Sequence, residues 1–302
     1  MYPCGKSCCF NKTFVNPQRL GGIFVATMWC RHGKPSSDLN LSRTHWKVCM
    51  RLSDKVIIVT GAAAGLGRAA AARFAREGAS VVMADTNETA GAALAGELVS
   101  RGLKGVFVRT DVSKEGDVKA LVNAALARFG RIDVLHNNAA VLYNDRDSIV
   151  HEVSLETWDI VMGVNLRGAF LCGKYVLPSM LKQGGGSIVY LGSPTGIVGC
   201  APKLSAYSTS KAGITGLARV MAAAYARNAI RVNVIVPGTM DTPMNSYILS
   251  DDEVREQFRE DVPLGRLGLP SDIEGLAVFL ASDESSYCTG GVYMCDGGLT
   301  AV

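Results

Sequence analysis

No cysteine pair in the chain has CxxC or CxxH spacing, and Cys4, Cys8 and Cys9 with His32 lack the regular spacing of a structural zinc site. No metal is therefore expected. Aromatic residues make up only 7%, and apolar runs are broken by glycine or polar residues before the ~20 residues that a membrane-spanning helix needs. No membrane partner is expected either. Most of the chain also lacks a charge excess of either sign. The formal net charge of +4 originates in residues 1–49, where Lys6, Lys12, Arg19, Arg31, Lys34, Arg43 and Lys47 face a single acid, Asp38. Residues 50–302 are nearly neutral and carry no basic stripe, which argues against a nucleic acid partner.

What is present is apolar material for a sizeable core, with 48% hydrophobic and 19% charged residues. Five of the nine cysteines precede Met50. The other four, Cys172, Cys200, Cys288 and Cys295, are scattered and read as small buried hydrophobes in a reducing, cytoplasmic compartment.

From Lys55 onward, short β-branched runs alternate with longer Ala-rich amphipathic stretches. Strands are predicted at 55–60, 80–85, 105–110, 132–137, 187–192, 230–236 and 291–295, and helices near 65–77, 87–101, 114–129, 154–182 and 205–227. The strands are nearly continuous apolar runs, as when both sheet faces are covered. Strand-then-helix repetition implies right-handed crossovers and a parallel sheet. The fold class is α/β, a Rossmann-like doubly wound sheet of about seven parallel strands in one domain. One long irregular section, 237–270, reads as a functional lid, with "DDEVREQFRE" (251–260) as a solvated helix within it.

"TGAAAGLG" joins the first strand to the first helix, with Gly61, Gly65 and Gly67 in G-x3-G-x-G spacing. Glycine there permits a tight turn and lets backbone N–H groups approach a pyrophosphate at the helix N-terminus. Asp85 ends the second strand, where a carboxylate can bind ribose hydroxyls and repel a 2′-phosphate. No Lys or Arg stands at Ala64 or Thr86, so the expected cofactor is NAD rather than NADP.

"AYSTSKAG" puts Tyr207 and Lys211 four residues apart, on one face of a helix. A phenol, with a pKa near ~10, is a poor base at neutral pH unless a nearby ammonium stabilises the phenolate. Ser193 follows the 187–192 strand at its C-terminal end, where ligands of open α/β sheets bind. Its hydroxyl can donate to a carbonyl oxygen, although a turn or cap serine fits that position equally well. Asn165, within the long helix, suits a buried polar role or an ordinary helix hydrogen bond.

With "DV" (111–112), "NNAA" (137–140), "PGTMDT" (237–242) and "CDGG" (295–298), these pieces resemble the short-chain dehydrogenases/reductases, in that family's order, over about residues 52–302. The resemblance implies Tyr207 as catalytic acid/base, Ser193 orienting the substrate oxygen, and Lys211 binding the nicotinamide ribose and lowering the tyrosine pKa. It implies that Asn165 anchors a water relaying protons toward Lys211. Asp111 and Val112 would contact adenine, Asn138 would lie near the adenosine ribose, Leu66 would give backbone to the phosphates, and Met240 and Thr242 would hold the nicotinamide. Ala140 stands where the family usually has glycine, and its methyl is tolerable if the backbone there is not at positive φ. The implied reaction moves a hydride between NAD(H) and a secondary alcohol or ketone. Val141, Leu142, Pro194, Cys200, Met240, Met244 and Tyr247 are candidate pocket residues and suggest an alicyclic or hydrophobic substrate. A homotetramer is the expected assembly. Two alternatives stay open: an NADP-dependent 3-oxoacyl carrier reductase, and an NAD-binding sensor without catalysis.

Residues 1–49 lie outside the resemblance. A wrongly chosen upstream start, an organelle-targeting presequence and a small added module are the readings, and the first is preferred, with 50–302 as the catalytic domain.

Overall fold

The computed structural model describes residues 50–302, together with the backbone of a short antiparallel pair, Gln18–Leu20 with Ile23–Val25. The rest of the 1–49 segment, and the expectations for it, lie outside the described residues, as do the side chains of Tyr247 and Ile248. The chain divides into two units, residues 1–48 and 49–302.

In the larger unit the seven strands are β1 (Val56–Thr60), β2 (Ser80–Asp85), β3 (Lys104–Arg109), β4 (Val134–Asn137), β5 (Gly186–Leu191), β6 (Ile230–Pro237) and β7 (Val292–Cys295). They form one sheet in the order β3-β2-β1-β4-β5-β6-β7, and every pairing is parallel. The seven predicted strands are all present, and the doubly wound α/β sheet is as expected. The order reverses between β1 and β4, which opens a crevice at the strands' C-terminal ends.

The helices are α1 (Gly65–Arg76), α2 (Glu88–Ser100), α3 (Glu115–Phe129), α4 (Leu155–Gln183), α5 (Ser205–Tyr225), α6 (Asp252–Glu260) and α7 (Pro270–Ala281). Successive strand residues point to opposite faces, so the sheet divides the core in two. Ile58, Val82, Leu135 and Tyr190 pack with α3, α4 and α5. Ile57, Val59, Val81 and Met83 pack with α1, α2 and α7. All five β1 residues are buried, which explains their unbroken apolar run.

Three features differ from the sequence reading. Helix α7 was not anticipated; Pro270 fits its first turn, and Ile273, Ala277, Val278, Leu280 and Ala281 supply its buried stripe. The continuous α4, 29 residues, is long and apolar enough by composition to cross a bilayer, against the expectation of short runs. Half of its most apolar window is buried within the protein, where Leu171, Cys172, Val176 and Met180 meet the core. Finally, α4 contains a π-helical turn at Met162–Arg167 around Asn165. Such turns insert an extra residue and re-aim nearby side chains.

His136 on β4 is fully buried, with its ring edge-on to Phe74 at 5.4 Å. Its Nδ1 has no hydrogen-bond partner among the described residues, and burial pushes its pKa down to about 4. The unfolded chain therefore takes up a proton below about pH 6.5 that the folded chain refuses, so stability falls as pH falls through that window. Urea unfolding should show about 2 kcal/mol less stability at pH 5 than at pH 7.5 from this group. His136→Leu should flatten that slope; an unchanged slope would refute the assignment.

Candidate active site

The turn after β1 begins the site. Gly61 has φ 67°, and a Cβ there would come within 2.8 Å of Ala139 Cα and of Asn138 Nδ2. A Cβ on Gly67 would overlap the Gly61 carbonyl and lie 2.6 Å from Asn138 Nδ2. Gly61 needs glycine for its positive φ and its packing against the Asn138 amide and the Ala139 backbone, and Gly67 because α1 packs directly on the turn carbonyl. Asn138 holds the turn from below, donating to Thr60 O (3.2 Å) and Gly61 O (3.1 Å). Thr60 Oγ1 accepts from the Asn138 and Ala139 N–H groups at 3.1 and 3.0 Å, a clamp that the sequence reading did not single out. Helix α1 starts at Gly65 with no side-chain cap and no acid in its first turn. Its N-terminal partial positive charge is thus left for an anion at the cleft.

Asp85 closes the adjoining edge. Its Oδ2 accepts from Ala63 N–H and its Oδ1 from Asn87 N–H, both at 2.9 Å. The carboxylate is thereby fixed at the end of β2, between the glycine turn and the start of α2.

These elements line a cleft of about 440 Å³, which also receives Ser193, Tyr207 and Lys211 from β5 and α5, and Met240 and Thr242 from the segment after β6. Tyr207, Lys211 and Ser193 are buried, at 9%, 3% and 8% exposure. Lys211 Nζ donates to Leu191 O at 2.8 Å and stands 5.5 Å from the Tyr207 ring centroid. Ser193 Oγ lies 3.1 Å from Thr195 Oγ1 and accepts from Thr195 N–H at 3.3 Å. Burial pushes Tyr207 up to about 12, while a hydrogen bond with Ser193 acts in the opposite sense. Burial pushes Lys211 down to about 8. In the protein alone, then, desolvation outweighs the Ser193 hydrogen bond, and the phenol pKa is raised rather than lowered as expected. Tyr207 is a protonated phenol at neutral pH, ready to donate.

The sequence profile described as Enoyl-(Acyl carrier protein) reductase matches residues 61–300. The 3-oxoacyl-(acyl-carrier-protein) reductase FabG of Thermotoga maritima is 40% identical over 252 residues, covering 83% of this chain and 99% of that protein. The cis-4-hydroxycyclohexanecarboxylate dehydrogenase of Sinomonas cyclohexanicum is 40% identical over 250 residues, covering 83% and 98%. A gluconate 5-dehydrogenase structure from Burkholderia cenocepacia, in complex with NADP and tartrate, superposes with a TM-score of 0.79 at 29% identity, covering 84% of this chain and 98% of that one. The chain belongs to the short-chain dehydrogenase/reductase family.

Membership brings a nicotinamide dinucleotide, and the tight glycine turn, the uncapped α1 N-terminus and the fixed Asp85 carboxylate fit one. Of the residues to which the resemblance gave roles, Gly61, Gly65, Leu66, Asp85, Asn138, Ser193, Tyr207, Lys211, Met240 and Thr242 line the cleft. Gly67, Asp111, Val112 and Asn165 do not. Gly67, in the first turn of α1, packs against the Gly61 carbonyl. Asp111 turns back on its own loop, accepting from Ser113 N–H and Oγ, with Lys114 at 3.5 Å. Val112 is buried against Gly168. Asn165 Oδ1 accepts from Val141 N–H (2.8 Å), and its Nδ2 donates to Val141 O (3.0 Å) and Ser210 Oγ (3.1 Å). Both of its amide hydrogens are therefore taken by protein groups.

The substitution of alanine at 140 is accommodated, since the non-glycine residues at positive φ are Asp54 and Ala229 among the described residues. Leu142, Pro194, Cys200, Met240 and Met244 line the cleft as anticipated, whereas Val141 packs beside Tyr207 in a small apolar cluster and is held by Asn165. The Tyr207–Lys211 helix face and the glycine turn were legible. Leu249, Phe258 and Asp261 were missed as lining residues: Phe258 stands on α6, a helix that the sequence reads as solvated, and Leu249 and Asp261 flank it in short stretches without periodicity. Gly67→Ala should weaken NADH binding more than tenfold in fluorescence titration, because the turn must open to admit the methyl. Binding within twofold of wild type would contradict this geometry.

Proposed function

We propose that residues 50–302 are an NAD(H)-dependent dehydrogenase of neutral, apolar secondary alcohols, working reversibly with the corresponding ketones. The observation that carries this reading is the convergence of Ser193, Tyr207 and Lys211 on the same cleft as the glycine turn and Asp85. The bound nicotinamide supplies or accepts the hydride. The remaining chemistry falls to the chain. Ser193 Oγ donates to the substrate oxygen and holds it beside Tyr207. The Tyr207 hydroxyl gives its proton to that oxygen in ketone reduction and takes it back in alcohol oxidation. Lys211, fixed by Leu191 O over the phenol ring, stabilises the phenolate and reaches toward the nicotinamide ribose. Asn165 acts through Val141 and Ser210.

NAD is favoured over NADP by Asp85, whose charge would face a 2′-phosphate. Lys211 is the sole Lys or Arg among the described residues lining the cleft, and its ammonium already meets the Leu191 carbonyl. Two acids, Asp85 and Asp261, also line it. A carboxylate, sulfonate or phosphopantetheine substrate finds no free counter-ion there. This counts against the carrier-linked reductase reading, which the 40% identity to a 3-oxoacyl carrier reductase would otherwise favour. The apolar wall of Leu142, Pro194, Met240 and Met244 suits a ring-shaped alcohol.

Self-association is part of the proposal. Phe170 on α4 (48% exposed), Val220 on α5 (69%) and Met294 on the edge strand β7 (39%) present apolar side chains outward. Faces of this kind mark contacts between protein molecules. Light scattering coupled to size exclusion should give four times the 32.0 kDa chain mass, and a monomer mass would sink the tetramer.

Activity is tested by following NADH absorbance with cyclohexanol, cyclohexane-1,2-diol, a hydroxysteroid, 4-hydroxycyclohexanecarboxylate and gluconate. Neutral alcohols should exceed the carboxylates in kcat/KM by at least tenfold, and NAD should exceed NADP by a similar factor. Tyr207→Phe should remove at least 1,000-fold of the turnover while leaving NADH affinity within threefold. Preference for NADP with a carrier-bound 3-oxoacyl thioester would establish the alternative enzyme. Turnover unaffected by Tyr207→Phe would dismiss the mechanism.

A further inference from the structure

The helix that carries Tyr207 has no cap of its own. Its N-cap position is Leu204, which has no polar side-chain atom, and the first N–H groups of an α-helix have no partner within the helix. At α5 these groups are met by residues almost 60 positions earlier in the chain. Ser205 N–H donates to Ser148 O at 3.3 Å. Ala206 N–H donates to Asp147 Oδ1 at 3.1 Å, and Tyr207 N–H to Asp147 Oδ2 at 2.9 Å. The usual helical pattern resumes at Ser208, whose N–H donates to Leu204 O. Asp147 is 6% exposed, so its carboxylate is held by these N–H groups and that of Ser148. An anion at a helix N-terminus is also favoured by the helix dipole.

The same tyrosine is held from its other side. Tyr207 O accepts from Ser210 Oγ at 2.7 Å, and Ser210 Oγ accepts from Asn165 Nδ2. Asn165 in turn binds both backbone groups of Val141. The two backbone polar groups of Tyr207 are thus linked, through side chains, to the two ends of the segment 141–148. That segment contributes Leu142 and Asn144 to the cleft wall.

We propose that Asp147 is a positioning residue for the reaction: by capping α5 from the 141–148 segment, it locks the Tyr207 hydroxyl to the wall against which the substrate rests. The proposal rests on the dehydrogenase reading, in that Tyr207 is taken as the proton donor. Asp147 itself touches neither the cofactor cradle nor the reacting atoms. A residue that served stability alone would change the melting temperature and leave the balance of cofactor binding and turnover untouched.

Asp147→Ala and Asp147→Asn in the full chain separate these cases. Asp147→Ala should lower kcat for alcohol oxidation at least tenfold, with the NADH dissociation constant within twofold of wild type. Asp147→Asn retains one acceptor oxygen and should recover part of that loss. Amide hydrogen exchange across residues 205–210 should quicken at least threefold in Asp147→Ala, while β1 and β4 exchange as before. A kcat within twofold of wild type, or unchanged exchange at 205–210, overturns the proposal. If Asp147→Ala does not fold, Asp147→Asn decides by the same two measurements, with a kcat loss of at least threefold and faster exchange as the expected result. If wild-type protein oxidises no alcohol tested, the dehydrogenase reading fails, and the exchange measurement alone judges Asp147.

Discussion

The bond from Lys211 Nζ to the Leu191 carbonyl, 2.8 Å long, is the contact on which the geometry of the cleft depends. It joins a helix to the end of a strand. β5 delivers Ser193 two residues beyond Leu191, and α5 delivers Tyr207 one turn before Lys211. Fixing the ammonium at the strand end therefore fixes the serine and the tyrosine relative to each other. A buried ammonium is costly unless it is hydrogen-bonded, and the fall of the Lys211 pKa to about 8 reports the part of that cost which the carbonyl does not offset. The same exclusion of water raises the Tyr207 phenol to about 12. At neutral pH Tyr207 is thus a neutral phenol, while Lys211 remains an ammonium held by the Leu191 carbonyl.

The parallel sheet decides where this happens. Every strand ends on the same side, so the glycine turn after β1, Asp85 at the end of β2, Asn138 just beyond β4 and Ser193 just beyond β5 all converge at one edge. The reversal of strand order between β1 and β4 splays the following helices apart and leaves room for a dinucleotide. Asn138 shows how closely turn and site are coupled. Its amide both supports Gly61 and stands where a side chain at 67 would have to go. The turn is therefore shaped by a residue more than 70 positions away, as well as by its own glycines.

Much of this was legible before any coordinates. The alternation of apolar strands and Ala-rich helices gave seven strands and five of the helices, because covered parallel strands and amphipathic helices have different periods. Tyr207 and Lys211 were legible as a pair because helix geometry brings i and i+4 to one face. Helix α7 was missed, since its start follows a proline-containing stretch that reads as loop. The bounds of α4 were read correctly, but its continuous apolar character was underestimated, because Gly163, Gly168 and Gly173 interrupt its apolar runs without ending the helix. Glycine lowers helix propensity by only ~1 kcal/mol, which packing of the buried stripe outweighs.

The sequence by itself determined the doubly wound fold, the glycine turn after β1, and the placing of Tyr207 and Lys211 on one helix face. Each of these follows from a local pattern with a physical period or a short spacing. Only the tertiary structure decided that Asn165 bonds to Val141 and Ser210, that Asp111 turns away from the cleft, and that Asp147 caps the Tyr207 helix. A polar side chain takes its partner from whichever polar groups the fold leaves unpaired nearby. For Asn165 and Asp147 those groups come from segments distant in the chain, and for Asp111 from its own loop.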